Sequence, residues 1–310
     1  MGGSGTTLRD RFRGCLVGLA VGDALGAAAE FMTESEVAAR YGRVVNYVTA
    51  GWVGQYTDDT AMALCIARSI VTQGCVDLGD IARRFVHWMV MDGRGIGNQT
   101  AEVLSLIQRG ADPMAAARQV WEARGCQAAG NGGVMRCAPV ALLDWRDGEA
   151  LVVHSRDTCR LTHFDPRCEW SCVAVNSAIA ALLAGEDNAV EVARRTVAGR
   201  CEELDRALAA ATTTPVAVLR LDGWDQGYAI LTTQAAFAAL TGGGSFEEAL
   251  CDVVSKGGDA DTNGAVAGAL LGARDGYAQI PARWREGLVG REELVALADR
   301  LWELAGGADP

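Results

Sequence analysis

The sequence predicts an all-α fold in a single compact multi-helix domain, and three observations carry that expectation. Apolar residues recur at three- and four-residue spacing along nearly the whole chain, as they do on helices with a buried face. Alternating β-branched runs are scarce: Val44-Val45-Asn46-Tyr47-Val48 is the best strand candidate, and no other segment offers it a partner. No Pro/Ser linker, charge block or internal repeat divides the 310 residues. Half of them are hydrophobic and 22% charged, so a sizeable core is expected rather than disorder.

In chain order, residues 1–7 open with Met1-Gly2-Gly3-Ser4-Gly5, which lacks the apolar core of a signal peptide and reads as a disordered leader to a domain spanning 8–305. Helical spacing then covers residues 8–30, 58–72, 77–91, 98–109, 112–124, 133–143 and 149–161. It continues over 166–184, 188–210, 226–240, 245–256, 262–273 and 291–304. Gly, Asp, Asn and Pro punctuate these stretches, as at Asp112-Pro113, where Asp caps and Pro takes the first helical position. In the first helix Gly14, Gly18, Gly22 and Gly26 recur every fourth residue, which permits close helix–helix approach and reads as packing.

Bulk properties narrow the function classes. Every long apolar run is broken by Asp, Glu, Arg or Gly before 18 residues, so no membrane span is expected and the chain reads as cytoplasmic. A net charge of −11 disfavours a sequence-independent grip on nucleic acid, which needs clustered Lys and Arg, and no sequence-specific nucleic-acid partner is expected. Ten cysteines are scattered singly through apolar stretches, which suits buried small hydrophobes in a reducing compartment. Cys159, His163, Cys168 and Cys172 lie close in sequence but lack a CxxC pair or a second His at ligand spacing, so they too read as structural.

Two acidic clusters carry the chemistry. Thr57-Asp58-Asp59-Thr60 follows a loop-like segment, Gly51-Trp52-Val53-Gly54-Gln55-Tyr56, and opens an apolar helix. Asp259-Ala260-Asp261-Thr262 opens another, after Gly257-Gly258, a pair that lets the backbone turn tightly against a ligand. Hard divalent cations want oxygen donors in this density. Capping and dipole compensation at a helix start would equally explain each cluster on its own. Glu30 closes the first apolar helix and is either solvated or a third carboxylate of the same site. With Asp58, Asp59, Asp259 and Asp261 it makes five negative charges, near the balance that two buried divalent ions require. Gly130-Asn131-Gly132-Gly133-Val134-Met135-Arg136 runs from a Gly-rich turn into a helix and could present backbone N–H groups to an anion, or be a structural turn.

Together the segments Gly14–Phe31, Tyr56–Ala63, Gly130–Pro139, Leu161–His163 and Lys256–Gly272 resemble the ADP-ribosylglycohydrolase family, in order and spacing across nearly the whole chain. The resemblance implies an all-α domain with two Mg²⁺ or Mn²⁺ ions at the base of a cleft. Thr57, Asp58, Asp59, Asp259, Asp261 and Thr262 would be the metal ligands. Glu30, Asp58 and Asp261 would be catalytic, with Glu30 on a segment that can act as a flap. Ile96, Gly97, Thr100, Asn131, Gly132, Gly133, Met135, His163 and Tyr228 would contact the substrate, Tyr228 through the adenine.

The implied activity is hydrolysis of the bond joining ADP-ribose to a modified side chain, most simply arginine. O-linked ADP-ribose, as on serine, or a non-catalytic metal- or ADP-ribose-binding role are the alternatives. The partner would be an ADP-ribosylated protein or ADP-ribosyl amino acid, and the chain a monomer. One departure bears on the acceptor: arginine-specific relatives often carry an acidic residue just before the Ile-Gly of this segment, where Gly95 stands here.

Overall fold

A computed structural model describes residues 6–48 and 53–307. Among them are sixteen α-helices: α1 (Leu8–Gly26), α2 (Glu34–Tyr41), α3 (Asp58–Gln73), α4 (Leu78–Met91), α5 (Asn98–Gln108), α6 (Pro113–Ala123), α7 (Ala138–Asp144) and α8 (Gly148–Arg160). They continue as α9 (Pro166–Leu183), α10 (Ala189–Val197), α11 (Glu202–Ala211), α12 (Ala229–Thr241), α13 (Phe246–Val254), α14 (Ala260–Asp275), α15 (Ala282–Gly287) and α16 (Arg291–Leu304). No strand occurs among the described residues, only an isolated antiparallel bridge between Gly130 and Tyr228. Among the described residues no helix is long and apolar enough to cross a membrane.

Helices α1, α9, α12 and α14 are buried nearly all round and form the centre. A helix without a polar face has to lie inside, and the amphipathic helices surround them. The glycine series sets how closely α1 and α14 meet. A Cβ placed on Gly14, Gly18, Gly22 or Gly26 would lie 2.2, 2.3, 1.9 or 2.1 Å from the carbonyl oxygen of Gly272, Gly268, Gly264 or Ala260, respectively. The pairing is reciprocal, since Gly264, Gly268 and Gly272 meet the carbonyls of Gly22, Gly18 and Gly14. The two helices therefore run antiparallel in backbone contact, and the C-terminus of α1 lies beside the N-terminus of α14.

Several boundaries depart from the sequence expectation. The stretch 188–210 divides into α10 and α11 at Gly199, whose φ of 71° no regular helix accommodates. The stretch 133–143 becomes a 3₁₀ turn, Asn131–Arg136, followed by α7, which begins at Ala138-Pro139. Residues 44–48 form no strand, because no edge faces them; side chains hold them instead, Trp284 Nε1 donating to the Val45 carbonyl and Ser255 Oγ accepting from Val44 N–H. Helices α2 and α15 fall where no helix is expected. Of the expected leader, residues 1–5 lie outside the described residues, as do Gly51 and Trp52 of the segment before the first acidic cluster. Thr7 caps α1 by accepting from Asp10 N–H.

Candidate active site

The α1–α14 seam brings the acidic segments together. Beyond α1 the chain turns through residues 27–31, ending at Phe31 with φ 60°, a strained value for a bulky residue. Phe31 N–H donates to the Gly258 carbonyl at 2.7 Å and Gly258 N–H donates to the Met32 carbonyl at 2.8 Å, so the Glu30 segment is pinned to the glycine pair before Asp259. Both glycines have positive φ, and a Cβ would lie 2.2 Å from Met32 O at Gly257 and 1.9 Å from Leu221 O at Gly258. Their close approach is thus to neighbouring backbone, not to a ligand.

The two acidic helix starts do not cap. Thr7, Thr33, Asp77, Asp112, Asp147, Asp165 and Ser245 accept from backbone N–H groups in the usual way at other helices, but Thr57 and Asp259 do not. Thr57 Oγ1 turns instead to Asp23 at 2.9 Å and Asp59 at 2.9 Å. Asp23 also accepts from Thr57 N–H at 2.8 Å, Thr60 N–H at 3.0 Å and Thr60 Oγ1 at 2.6 Å. Three donors of its own and a Thr57 hydroxyl proton shared with Asp59 occupy the four lone-pair sites of a carboxylate. Asp23 therefore anchors the start of α3 to α1, and the sequence reading missed it. Its signal was an acidic residue amid small and apolar ones, in Val21-Gly22-Asp23-Ala24-Leu25.

Carboxylate oxygens of Asp23, Asp59 and Asp261 lie within 4.8 Å of one another, and so do those of Glu30, Asp259 and Asp261. The two groups share Asp261. Proximity alone would make Asp23 a ligand candidate, but its saturated hydrogen bonding makes it a support. Asp59 Oδ1 is buried and has no hydrogen-bond partner among the described residues. Burial first, then mutual repulsion, pushes Asp59 and Asp261 well above the usual carboxylate range, Asp58 to about 8 and Glu30 to about 7. Burial lifts Asp23 only to about 6, because the threonine hydrogen bonds oppose it. An all-oxygen set with an orphaned buried acceptor and this much uncompensated charge fits hard divalent cations.

Above the carboxylates opens a cleft of about 930 Å³. Of the residues expected at the site, Glu30, Asp58, Gly97, Thr100, Asn131, Gly132, Met135, His163, Tyr228, Asp259, Asp261 and Thr262 line it. Thr57, Asp59, Ile96 and Gly133 do not. Thr57 and Asp59 lie buried behind Asp58, and Ile96 packs against the hydrophobic core. Gly133 backs onto the cysteines, where a Cβ would sit 2.5 Å from Cys159 Sγ.

The Gly-rich turn is tied to both sides of the cleft. Asn131 N–H donates to the Gly227 carbonyl and Ala229 N–H to the Ala129 carbonyl, each at 3.0 Å, which sets the turn beside Tyr228. Asn131 Nδ2 donates to Asp259 at 2.7 Å and Thr232 at 3.0 Å, linking the turn to the acidic floor. Tyr228 hydroxyl donates to Glu203, and the Arg167 guanidinium lies 5.8 Å from the Tyr228 ring centre. Arg167, Glu203, Gln99 and the almost fully exposed Trp224 also line the cleft and were not anticipated. Gln99, Arg167 and Glu203 stand in the first turns of α5, α9 and α11 and Trp224 in a loop, and helical periodicity does not tell which first-turn polar residues face a cleft.

A family model described as ADP-ribosylglycohydrolase matches residues 4–310. The chain belongs to the ADP-ribosylglycohydrolase family. It is 31% identical over 309 residues to the ADP-ribosyl-[dinitrogen reductase] glycohydrolase of Rhodospirillum rubrum, covering 98% of this chain and 99% of the relative. It is 27% identical to ADP-ribosylarginine hydrolase Tri1 of Serratia proteamaculans (97% of this chain, 80% of the relative) and 29% identical to ADP-ribosylhydrolase ARH3 of Danio rerio (95% and 90%). Among solved structures, one titled "ADP-ribosylglycohydrolase-related protein complex" superposes with a TM-score of 0.81 at 31% identity, covering 96% of this chain and 99% of that one. The family is one of ADP-ribosyl hydrolases, and the all-α architecture is that of the family.

Proposed function

We propose that this ADP-ribosylglycohydrolase family member is a divalent-cation-dependent hydrolase that removes ADP-ribose from modified protein side chains, in the first instance arginine. The observation that supports it most is the convergence of Glu30, Asp58, Asp59, Asp259 and Asp261 beneath a single cleft, with Asp59 Oδ1 left unpartnered. Asp59, Asp259 and Asp261, with Glu30 from the second carboxylate group in place of the expected ligand Asp58 and with the Thr57 and Thr262 hydroxyls nearby, would hold two Mg²⁺ or Mn²⁺ ions. Such ions supply charge neutralisation and Lewis acidity toward the ribose hydroxyls.

The chain's own groups would do the rest. The N–H groups of Gly130 and Gly132, on a turn that Asn131 ties to Gly227, Asp259 and Thr232, receive the diphosphate, so its charge needs no surface basic patch. The ring of Tyr228, backed by Arg167, offers a face to the adenine. Met135, Thr100 and Gly97 border the sugar. Glu30, at the cleft wall, takes the proton of the water that attacks C1″. The C1″–N bond breaks as Asp58 gives a proton to the leaving nitrogen. Both carboxyls hold protons more readily than free ones do, chiefly through burial.

A second reading, O-linked ADP-ribose as on serine, has a specific observation in its favour. Gly95 has φ +81°, and a Cβ there would lie 2.6 Å from Asp58 Oδ1. A side chain at that position would be strained and would press on Asp58, and no acidic group stands there to pair with a guanidinium. A panel of arginine-linked and serine-linked ADP-ribosyl peptides, incubated with Mg²⁺ or Mn²⁺, separates the readings by the ADP-ribose released. Release from the serine panel alone would overturn the arginine assignment, and release from neither would overturn the hydrolase reading.

A further inference from the structure

Arg136 is a fully buried guanidinium to which no carboxylate bonds among the described residues. It lies over the Phe85 ring at 4.5 Å, its Nη1 meets Met62 Sδ at 3.3 Å, and its Nε has no partner. Its one strong hydrogen bond runs from Nη2 to Thr162 Oγ1 at 2.6 Å. Thr162 Oγ1 in turn lies 2.7 Å from His163 Nδ1. Backbone and side-chain bonds fix Thr162 and His163: their N–H groups donate to the Cys159 carbonyl, Cys159 Sγ reaches the His163 carbonyl, and Gln99 Nε2 donates to the Thr162 carbonyl.

The direction of each bond follows from the donor inventory. Arginine has donors only, so Thr162 Oγ1 accepts from Arg136. The single hydroxyl proton of Thr162 then has one acceptor within reach, His163 Nδ1. A neutral imidazole that accepts at Nδ1 carries its proton on Nε2. Nε2 faces the Gly-rich turn: a Cβ on Gly132 would lie 3.0 Å from it and one on Gly130 3.3 Å, and His163 lines the cleft.

We propose that Arg136 and Thr162 are positioning residues that hold His163 as the neutral Nε2–H tautomer, so that Nε2–H is offered to a diphosphate oxygen of ADP-ribose. This assignment rests on the ADP-ribosyl hydrolase reading for its ligand, but the tautomer stands on the hydrogen-bond geometry. The environment supports neutrality, since burial first and the nearby Arg136 second lower the His163 pKa to about 3. An Nε2–H donor suits an anionic oxygen, whereas the opposite tautomer would turn a lone pair toward it.

The chain has three histidines, so long-range ¹H–¹⁵N spectra of the imidazoles can be assigned with His87→Gln and His154→Gln. Wild-type protein should show His163 with bare Nδ1 and protonated Nε2 from pH 5 to 8, and the Nε2 signal should shift when ADP-ribose is added. Thr162→Val should weaken ADP-ribose binding about tenfold, the worth of one well-placed hydrogen bond, and leave Mn²⁺ affinity unchanged. Thr162→Ser should restore binding. An Nδ1–H tautomer or an imidazolium at pH 6 in the wild type would overturn the proposal, as would wild-type ADP-ribose affinity in Thr162→Val. The wild-type spectrum decides even if the valine variant fails to fold. It is recorded without turnover, so an inactive protein would contradict the hydrolase reading and not this one.

Discussion

Gly22→Ala places a methyl group where the fold leaves no room for one. The new Cβ would lie 1.9 Å from the Gly264 carbonyl oxygen and 2.3 Å from its carbon. A carbon–oxygen contact needs about 3.3 Å, so α1 and α14 would have to part by roughly 1.4 Å. Overpacking of this kind costs about 1–3 kcal/mol. Asp23 is the next residue, and its bonds to Thr60 are 2.6 and 3.0 Å long; a shift of roughly 1 Å breaks them. Leaving those buried donors unmade adds about 1–3 kcal/mol. At roughly 2 °C per kcal/mol for a chain of this size, the melting temperature should fall by about 4–12 °C. With its Asp23 anchor broken, the start of α3 no longer holds Asp59 beside Asp261, so Mn²⁺ affinity should fall as well. Calorimetry and Mn²⁺ titration of Gly22→Ala check both effects. A variant with wild-type melting temperature and wild-type Mn²⁺ affinity would refute the argument that the glycine seam positions the site.

Further outcomes follow from the same geometry. Asp23→Asn replaces two acceptor sites by donors that face Thr57 and Thr60, and urea unfolding should show a loss of about 2–4 kcal/mol. In metal-free protein the folded-state pKa values of Asp58, Asp59 and Asp261 lie above the unfolded value, so the folded chain binds the extra protons. Stability should therefore be greatest at the acid end and fall as pH rises toward about 8, by about 1.4 kcal/mol per pH unit for each proton held. Saturating Mg²⁺ should flatten that slope in thermal melts at successive pH values. His163 acts in the opposite sense: its lowered folded pKa means that stability is lost as pH falls below 6.5 toward about 3, and His163→Gln should remove that part of the acid-side loss. Gly95→Ala, strained at φ +81° and pressed against Asp58, should lower turnover more than tenfold while Mn²⁺ remains bound, as steady-state kinetics and titration would show.

The sequence disclosed the parts of this molecule that depend on local pattern. Helical spacing and helix starts such as Asp112-Pro113 are set within a few residues, and they agree with the structure to within a few positions. The capping box Thr33–Glu36 was also legible in principle, yet the short α2 it begins was overlooked between two stronger patterns. The stretch 188–210 read as one helix because periodicity passes through Gly199, whereas the backbone leaves the helical region at Ala198, Gly199 and Cys201. Asp23 was hidden for a different reason. Its role depends on donors at residues 57 and 60, which no spacing rule connects to α1. The glycine series pointed to packing, and that is what it does, but which helix it packs against decides where Asp23 and Asp261 meet. The ambiguity between capping and ligation at Thr57 and Asp259 could only be addressed by asking where their hydrogen bonds go.

The central claim is that the two acidic clusters and Glu30 make one cation site that does the hydrolysis, with Asp261 common to both halves. Calorimetric titration of metal-free protein with Mn²⁺, followed by assay of the same samples for ADP-ribose release, tests it most directly. The account predicts two Mn²⁺ per wild-type chain, release that requires them, and loss of both in Asp261→Asn. Retention of either metal binding or turnover in Asp261→Asn, or release undiminished by chelation in the wild type, would contradict it.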